Sequence, residues 1–421
     1  MKFTANIASE LKAIFSFVAA SSGYRDHEAL KFVKISADSI AQQVTILATS
    51  LDRNVRFTCP AEVQYSGELL YNLQDLIALI KKSKRRNYYP AMEFNLHQVQ
   101  LSGVQTKINL HPDPNEFKCF SFPSSELVGA TSGSDGWTTV LLDNLDFAVN
   151  RVMYAASADE FKQVLTGIYF DSRDGGRATC TDGYRLVTVK TGIPVAVPFS
   201  IKASLFDDSK KDKLSLTRLL KGLQEHAEDY EGEIKIGCEG RNVFFTSKLK
   251  DRSFEVSVRN LTHDYGSYPN YSQLIPNQFT KGMTFDRSAM LEAVEKIKPY
   301  ASANGSAAAT LSYDYDKACF YLTADGLPIS GIRISKAYLK GDSSWFPEDR
   351  GISFDVDYFD DALRATVDEV LSLDANTEQS PLILSGREGE THLLMPIAFN
   401  EPRRSTHFNL VKKFKSHFPA V

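Results

Sequence analysis

The chain has 421 residues, of which 43% are hydrophobic and 24% are charged, and its formal net charge is −4. This length exceeds one ordinary hydrophobic core and suits three domains of about 130 residues each. The composition is typical of a soluble globular protein, since no apolar run approaches the roughly 18 residues of a membrane span. The N-terminus lacks the apolar core of a signal peptide, and the five scattered cysteines indicate reduced thiols in the cytoplasm. A negative total charge does not exclude nucleic-acid binding, because local patches decide it.

Three amphipathic helices are predicted in chain order, each with apolar residues at the spacing i, i+4 and i+7. The stripes recur at intervals of about 140 residues, which is too long for a solenoid repeat. They consist of Leu11, Phe15 and Val18, then Leu145, Val149 and Val152, and finally Met290, Val294 and Ile297. The recurrence predicts three copies of one unit.

Hairpins and second helices recur at nearly the same intervals. The hairpin landmarks are Leu47–Asp52, Thr179–Gly183 and Tyr321–Gly326, and in the second Asp182-Gly183 supplies a tight turn. The second helices are predicted around Leu69, Leu70 and Leu73, around Leu219, Leu220 and Leu223, and around Tyr358, Phe359, Ala362 and Leu363. Strand-like alternation fills most of the remainder, for example at Phe94–Val104, Val243–Val258 and Ala318–Ile334.

The pattern predicts an α+β fold in which each unit packs two helices on antiparallel sheets. Small polar stretches mark the boundaries at Thr131–Gly136 and Pro276–Gln278. We therefore predict domains at residues 1–133, 137–276 and 279–400, followed by an extension at 401–421.

Four stretches resemble the bacterial DNA polymerase III beta subunit, the DNA sliding clamp family. They are the start Met1-Lys2-Phe3-Thr4, then Thr181-Asp182-Gly183-Tyr184-Arg185-Leu186, then Tyr268–Pro276, and Leu393-Leu394-Met395-Pro396-Ile397. Tyr184 replaces the family's usual His, and Gln273 stands where the family often has Arg. The resemblance implies a head-to-tail ring dimer around duplex DNA, which tethers the replicative polymerase and is opened by a clamp loader. It implies neither catalysis nor a cofactor nor a metal.

The resemblance also implies a pocket that takes a short motif of the Gln-Leu-x-Leu-Phe type from polymerases, loader subunits and other partners. Apolar anchors and an adaptable methionine suit such a role. The pocket positions are Leu165, Thr181, Gly183, Tyr184, Arg185, Leu186, Pro269, Leu274, Leu393, Leu394, Met395, Pro396 and Ile397. The competing interpretation is that these residues form core between two domains.

Basic residues on or beside the predicted helices are candidate contacts to DNA phosphates, which need no base-reading geometry. The candidates are Arg25, where the resemblance places a DNA-contacting Arg, and Lys82, Arg85, Arg86, Arg151, Lys162, Lys221 and Lys296. Three of them belong to the cationic run Lys81–Arg86, which is dense enough to favour an anionic partner. The alternative is that such cations are solvated helix faces.

Two other function classes make different predictions for this chain. A three-domain scaffold that binds proteins but does not encircle DNA would lack retention on closed circular DNA. A hydrolase using Asp182 would place a second acid or a metal beside it. The chain has no Gly-rich phosphate loop and no metal-ligand spacing, and helix starts explain Asp143 and Asp146.

The extension departs most from the resemblance. It carries Arg403, Arg404, Lys412, Lys413 and Lys415 against one acid, Glu401. Its apolar residues Leu410, Val411, Phe414 and Phe418 fit a short amphipathic helix. Two hypotheses follow, that the stripe competes with partner peptides or that it packs elsewhere or frays as termini usually do.

Overall fold

A computed structural model describes most of the chain, at residues 1–20, 28–50, 52–83, 91–110, 136–208, 214–225, 231–303, 307–324, 331–386 and 389–397. The helices are α1 (Ala8–Val18), α2 (Leu73–Ser83), α3 (Leu142–Val152), α4 (Leu216–Gln224), α5 (Leu261–Tyr265), α6 (Arg287–Ala303) and α7 (Val356–Ala365). Within these residues no helix is long and apolar enough to span a membrane.

The strands are mostly short and antiparallel. From the N-terminus they are β1 (Lys2–Ala5), β2 (Phe32–Asp38), β3 (Gln43–Thr49), β4 (Arg53–Pro60), β5 (Glu62–Tyr65), β6 (Gly67–Asn72), β7 (Met92–Asn95), β8 (Gln98–Leu101), β9 (Val104–Lys107), β10 (Trp137–Leu141), β11 (Gly167–Asp171), β12 (Arg177–Thr181) and β13 (Arg185–Lys190). They continue as β14 (Phe199–Lys202), β15 (Glu233–Glu239), β16 (Asn242–Lys248), β17 (Ser253–Arg259), β18 (Lys281–Asp286), β19 (Ala308–Asp314), β20 (Cys319–Thr323), β21 (Ile332–Ile334), β22 (Ala337–Leu339), β23 (Ile352–Asp355), β24 (Val370–Ala375), β25 (Leu382–Ser385) and β26 (Glu390–Leu394).

The chain forms two compact units. The first unit contains Met1–Phe147, Phe170–Gly176 and Gly192–Asp264. Its sheets run in the orders β5-β1-β7-β8-β9 and β10-β15-β16-β17-β4-β3-β2-β6. Strand β17 pairs with β4, so two predicted repeats share one continuous sheet in this unit.

The second unit contains Ala148–Tyr169, Arg177–Thr191 and the chain from Tyr265 onward. One of its sheets contains the strand run β12-β13-β26-β25-β24-β18-β22, and a four-stranded sheet has the order β21-β20-β19-β23. The core of this unit packs α6 and α7 against strands of both sheets, with Met290, Phe320 and Phe359 fully buried. The predicted α+β class and antiparallel sheets are confirmed.

A strand that runs directly into a helix recurs along the chain. Strand β10 leads into α3, β18 into α6 and β23 into α7. At several such junctions, including that of β6 with α2, a side chain caps the helix, because a carboxylate or amide oxygen accepts the unpaired N–H groups of the first turn. Asp355 Oδ1 accepts from the amides of Asp357 and Tyr358, and Asn72 Oδ1 accepts from those of Gln74 and Asp75.

All six predicted helices are present, but one prediction misplaces a boundary. Leu69 and Leu70 lie in β6, where Leu70 pairs with Lys34 of β2, and α2 begins only at Leu73. A run of leucines fits a strand or a helix, and here the Asn72 cap marks the point where β6 ends and α2 begins. The division into three domains stays a prediction, because the compact units are two.

Candidate functional site

The predicted hairpin is formed by β12 and β13, and its turn is built from side chains of the turn itself. Gly183 has φ +97°, a conformation that L side chains rarely adopt. Asp182 Oδ1 accepts from the amides of Tyr184 and Arg185 at 2.9 and 3.0 Å. The Thr181 hydroxyl donates to the Arg185 carbonyl at 2.7 Å and accepts from the Gly183 amide. These hydrogen bonds fix the path of the turn, which places Tyr184 and Arg185 at the start of β13.

A groove lies over this hairpin and the last strand. Leu186 of β13 stands opposite Leu393 of β26, and the Met395 amide donates to the Tyr184 carbonyl at 2.9 Å. The groove is lined by Thr181, Gly183, Tyr184, Arg185, Leu186, Leu274, Pro381, Leu393 and Met395. Eight of these nine residues are pocket positions named from the sequence, and Pro381 is an addition. An apolar floor with a few polar groups at the rim suits an extended peptide.

The floor continues into a buried cluster. Leu186, Leu393, Tyr268, Tyr271 and Ile383 form it, and Leu165, Leu274 and Met395 pack against it. Tyr268 stacks on Tyr169 with ring centroids 4.5 Å apart. Leu165 thus supports the groove from below without lining it, as the core interpretation expects.

Two predicted pocket positions, Leu394 and Pro396, turn away from the groove, and Ile397 does not line it. Leu394 is 2% exposed and belongs to the core that contains α6 and α7. Pro396 is buried and bridges Phe354 of β23, and the Ile397 amide donates to the Ser353 carbonyl. Because side chains alternate along a strand, the same strand that offers Leu393 and Met395 to the groove must turn Leu394 inward. Pro269 is half-buried and is absent from the lining.

Arg185 is held by four groups. Its Nε donates to Asp182 Oδ2 at 3.0 Å and its Nη1 to Asp361 Oδ2 at 2.6 Å. The guanidinium carbon lies 4.2 Å from the ring centroid of Tyr358 and 5.2 Å from that of Tyr154. Burial alone would lower the pKa of Arg185, but its hydrogen bond to Asp361 and the nearby Asp182 carboxylate raise it above its ordinary value. Arg185 therefore acts as a fixed cationic wall of the groove.

Lys162, named from the sequence as a phosphate contact, stands at the rim of the groove. Its Nζ donates to the Asp182 carbonyl at 3.5 Å and lies 5.8 Å from the ring centroid of Tyr184. This position favours contact between Lys162 and a partner bound in the groove. The sequence does not predict that contact, because Lys162 belongs to no helix or strand pattern.

The expectation for Arg151 is wrong. Its side chain is 7% exposed and its Nη1 donates to the Glu390 carboxylate. A buried cation that is already neutralised by a carboxylate offers nothing to a phosphate. The periodicity placed Arg151 on α3 correctly, but it did not show which strand would cover that side of the helix.

The remaining DNA candidates differ in their surroundings. Lys82 lies exposed in the last turn of α2, and Lys221 is exposed in the last turn of α4. Lys296 is exposed on α6, and its Nζ lies 2.5 Å from the Glu292 carboxylate. Arg25, Arg85 and Arg86 lie outside the described residues.

Within the described residues, few side chains have the surroundings of a catalytic or metal-binding group. No three His, Cys, Asp or Glu side chains within them group as a metal site. Asp182 faces Arg185 and backbone amides, which is the environment of a structural carboxylate. Cys59, Cys180, Cys238 and Cys319 are free thiols, and burial raises the pKa of Cys59 to about 12. Such thiols are poor nucleophiles at neutral pH.

Known proteins match this chain over most of its length. Residues 139–255 match the family model of the DNA polymerase III beta subunit, central domain. The beta sliding clamp of Synechococcus elongatus is 25% identical over 402 residues, covering 92% of this chain and 97% of the relative. That of Synechocystis is 23% identical over 403 residues, with the same coverage.

Solved structures establish the fold. The DNA polymerase III beta subunit of Thermotoga maritima superposes with a TM-score of 0.69 at 17% identity, over 95% of this chain and 100% of that one. The subunit from Pseudomonas aeruginosa gives a TM-score of 0.71 at 15% identity, over 94% and 100%. Together with the sequence matches, these likenesses confirm the predicted resemblance of the chain to the DNA polymerase III beta subunit family.

Proposed function

We propose that this chain is a DNA sliding clamp, a processivity factor that encircles duplex DNA and tethers a replicative polymerase and other replication or repair proteins. It performs no catalysis of its own. The observation that carries the proposal is the beta subunit fold, which extends over 95% of this chain and the whole of the Thermotoga maritima subunit.

Contact with DNA is assigned to exposed helix lysines. Lys82 and Lys221 are exposed in the last turns of their helices, and Lys12 of α1 is exposed as well. Phosphate attraction by such lysines is independent of sequence and dependent on salt, as sliding requires. Arg25, Arg85 and Arg86 remain proposed contacts on the strength of the sequence alone.

Partner binding is assigned to the groove. Leu186, Leu274, Leu393 and Met395 offer apolar contacts to leucine and phenylalanine anchors, and Lys162 and Arg185 supply cations at the rim. The partners proposed for it are the catalytic subunit of the replicative polymerase, the clamp loader and other proteins that carry the short motif.

Self-association into a head-to-tail ring dimer is supported by open strands. Among the described residues, β9 ends the five-stranded sheet of the first unit and β21 ends the four-stranded sheet of the second unit. An open edge presents unpaired N–H and C=O groups, which a strand from a second copy satisfies. A closed ring at the replication fork in the bacterial cytoplasm is the assembly we propose.

Retention on DNA tests the proposal. Light scattering should give a dimer of about twice the 47.0 kDa chain mass. Loaded protein should remain on closed circular DNA at moderate salt and leave once the DNA is cut, because only a ring is released through an end. A monomer, or equal retention on both DNA forms, would favour the alternative of a scaffold that binds proteins without encircling DNA.

A further inference from the structure

Strand β26 has two faces with different roles. Leu393 and Met395 line the groove, and the alternate residues Glu390 and His392 point to the opposite side. His392 is 0% exposed and Glu390 is 6% exposed. Directly behind an apolar groove there is thus a buried acid and a buried imidazole, whose desolvation must be offset by well-formed hydrogen bonds.

A chain of polar contacts connects these residues. Arg151 Nη1 donates to one carboxylate oxygen of Glu390, and His392 Nε2 lies 2.8 Å from the other. The opposite ring nitrogen of His392, Nδ1, lies 2.6 Å from the Tyr154 hydroxyl. A carboxylate can only accept, so His392 carries a proton on Nε2, and in the neutral ring Nδ1 accepts from Tyr154.

Tyr154 connects the buried chain of polar contacts to the groove. Burial raises its pKa well above the ordinary value, so the hydroxyl keeps its proton. Its ring centroid lies 5.2 Å from the guanidinium carbon of Arg185, the residue that forms one wall of the groove. Arg185 also donates to Asp182 in the hairpin turn and to Asp361 in α7, so it links the turn to that helix.

We propose that Tyr154 and His392 are positioning residues for the peptide groove, which act on the bound partner through Arg185. The buried chain from Arg151 through Glu390 and His392 fixes the Tyr154 ring, and that ring fixes the guanidinium. The inference rests on the proposed function of the groove. It adds that the affinity of the groove is set partly by residues that no partner touches.

The simpler explanation is that the buried chain only stabilises the second unit. Replacing a buried polar network often changes stability without changing function, so stability alone does not separate the two explanations. A matched control is available in the first unit. Tyr71 is fully buried, whereas Tyr154 is half-buried, and the Tyr71 hydroxyl donates to the Leu96 carbonyl at 2.8 Å.

The experiment compares Tyr154→Phe with Tyr71→Phe, each of which removes one hydrogen-bonded hydroxyl and keeps the ring. The probe is a synthetic Gln-Leu-Ser-Leu-Phe peptide, titrated at a temperature at which all variants are folded. We expect Tyr154→Phe to raise the Kd about five- to tenfold and Tyr71→Phe to leave it within twofold. Equal Kd values for wild type and Tyr154→Phe, or equal losses in both variants, would overturn the proposal.

Two further measurements show whether the effect travels through Arg185. The double variant Tyr154→Phe with Arg185→Lys should raise the Kd by less than the product of the two single fold-increases, because both substitutions disturb the same contact. Independent losses would contradict the route. The exchange rate of the Arg185 Nε–H, followed by NMR, should rise in Tyr154→Phe and not in Tyr71→Phe.

This last measurement needs no peptide, so the two proposals fail separately. If the wild-type chain does not bind the peptide, the groove function fails. If the Nε–H exchange is unchanged in Tyr154→Phe, the positioning inference fails whatever the peptide does.

Discussion

The helices of the two compact units carry their charges in different ways. Helices α1, α2 and α4 of the first unit contain five basic and two acidic residues, and one of the acids, Glu10, is buried. Helices α6 and α7 of the second unit contain four basic and five acidic residues. In the second unit, Lys298 bonds Asp357 and Asp360, and Arg364 bonds Asp360 and Glu295.

The difference shows that a cation on a helix is not by itself available to DNA. Lys298 and Asp360 are 62 residues apart, so the pairing is created by the packing of α6 on α7. The second unit neutralises its helix cations internally and holds the groove, whereas the first unit leaves lysines at helix ends exposed to solvent. We therefore expect the two units to divide the work, the first holding DNA and the second holding partners.

The largest expected effect separates the faces of β26 in the second unit. Leu394→Ala should lower the free energy of unfolding by about 2–5 kcal/mol, because Leu394 is buried in the core. Met395→Ala is the matched variant on the groove face, and it should weaken peptide binding by about 1–3 kcal/mol with DNA retention unchanged. Urea unfolding and peptide titration of both variants test this. Weaker DNA retention in Met395→Ala would break the division between the units.

A second prediction concerns the exposed lysines of the first unit. Replacing Lys81, Lys82 and Lys221 with Ala should shorten retention on circular DNA and reduce the salt dependence of binding by up to about three units of log–log slope. Peptide affinity should not change.

The control removes the same charge from exposed strand lysines, Lys107, Lys235 and Lys248. Equal losses in the two triple variants would mean that only total charge matters, and that the helix lysines have no special role.

A smaller effect is expected from releasing cations in the second unit. Asp360 accepts from Lys298 Nζ at 2.7 Å and from Arg364 Nε at 2.8 Å. Asp360→Asn should free part of this positive charge and strengthen DNA binding at low salt, at some expense of thermal stability. Glu62→Gln removes an exposed acid from β5 and serves as the control. If both variants bind DNA equally, ion pairing of the helix cations is not the reason for the expected difference in DNA binding between the units.

The smallest effect is expected from the C-terminal extension, which lies outside the described residues. Truncation after Asn400 should leave peptide affinity within twofold, because terminal segments seldom cover a binding site. Peptide titration of the truncated and full-length chains measures it. Tighter binding after truncation would show instead that Leu410, Phe414 and Phe418 compete for the groove, and the partner-binding role would then be regulated.

Much of this architecture could be predicted from local pattern. The helix stripes found α1, α3 and α6, because burial of one face imposes a period of 3.6 residues. The hairpin followed from Asp182-Gly183, whose turn chemistry is local. The boundary at Leu69 and Leu70 was missed, since apolar runs suit strands and helices alike.

The site was less predictable because it depends on contacts between distant segments. The resemblance named most of the groove, but it also included Leu394, which strand alternation turns into the core. Pro381 was missed because a single proline before a strand carries no motif. Arg151 was misassigned because its partner Glu390 is 239 residues away.

Strand β26, the last in the described chain, has a consequence for synthesis on the ribosome. It pairs with β13 on one side and with β25 on the other, and the β13 pairing joins segments about 200 residues apart. This edge of β13 therefore stays unpaired until Glu390–Leu394 has been synthesised. A copy that lacks β26 has no Leu393 or Met395 in the groove, so we expect a growing chain not to compete with finished copies for peptide partners.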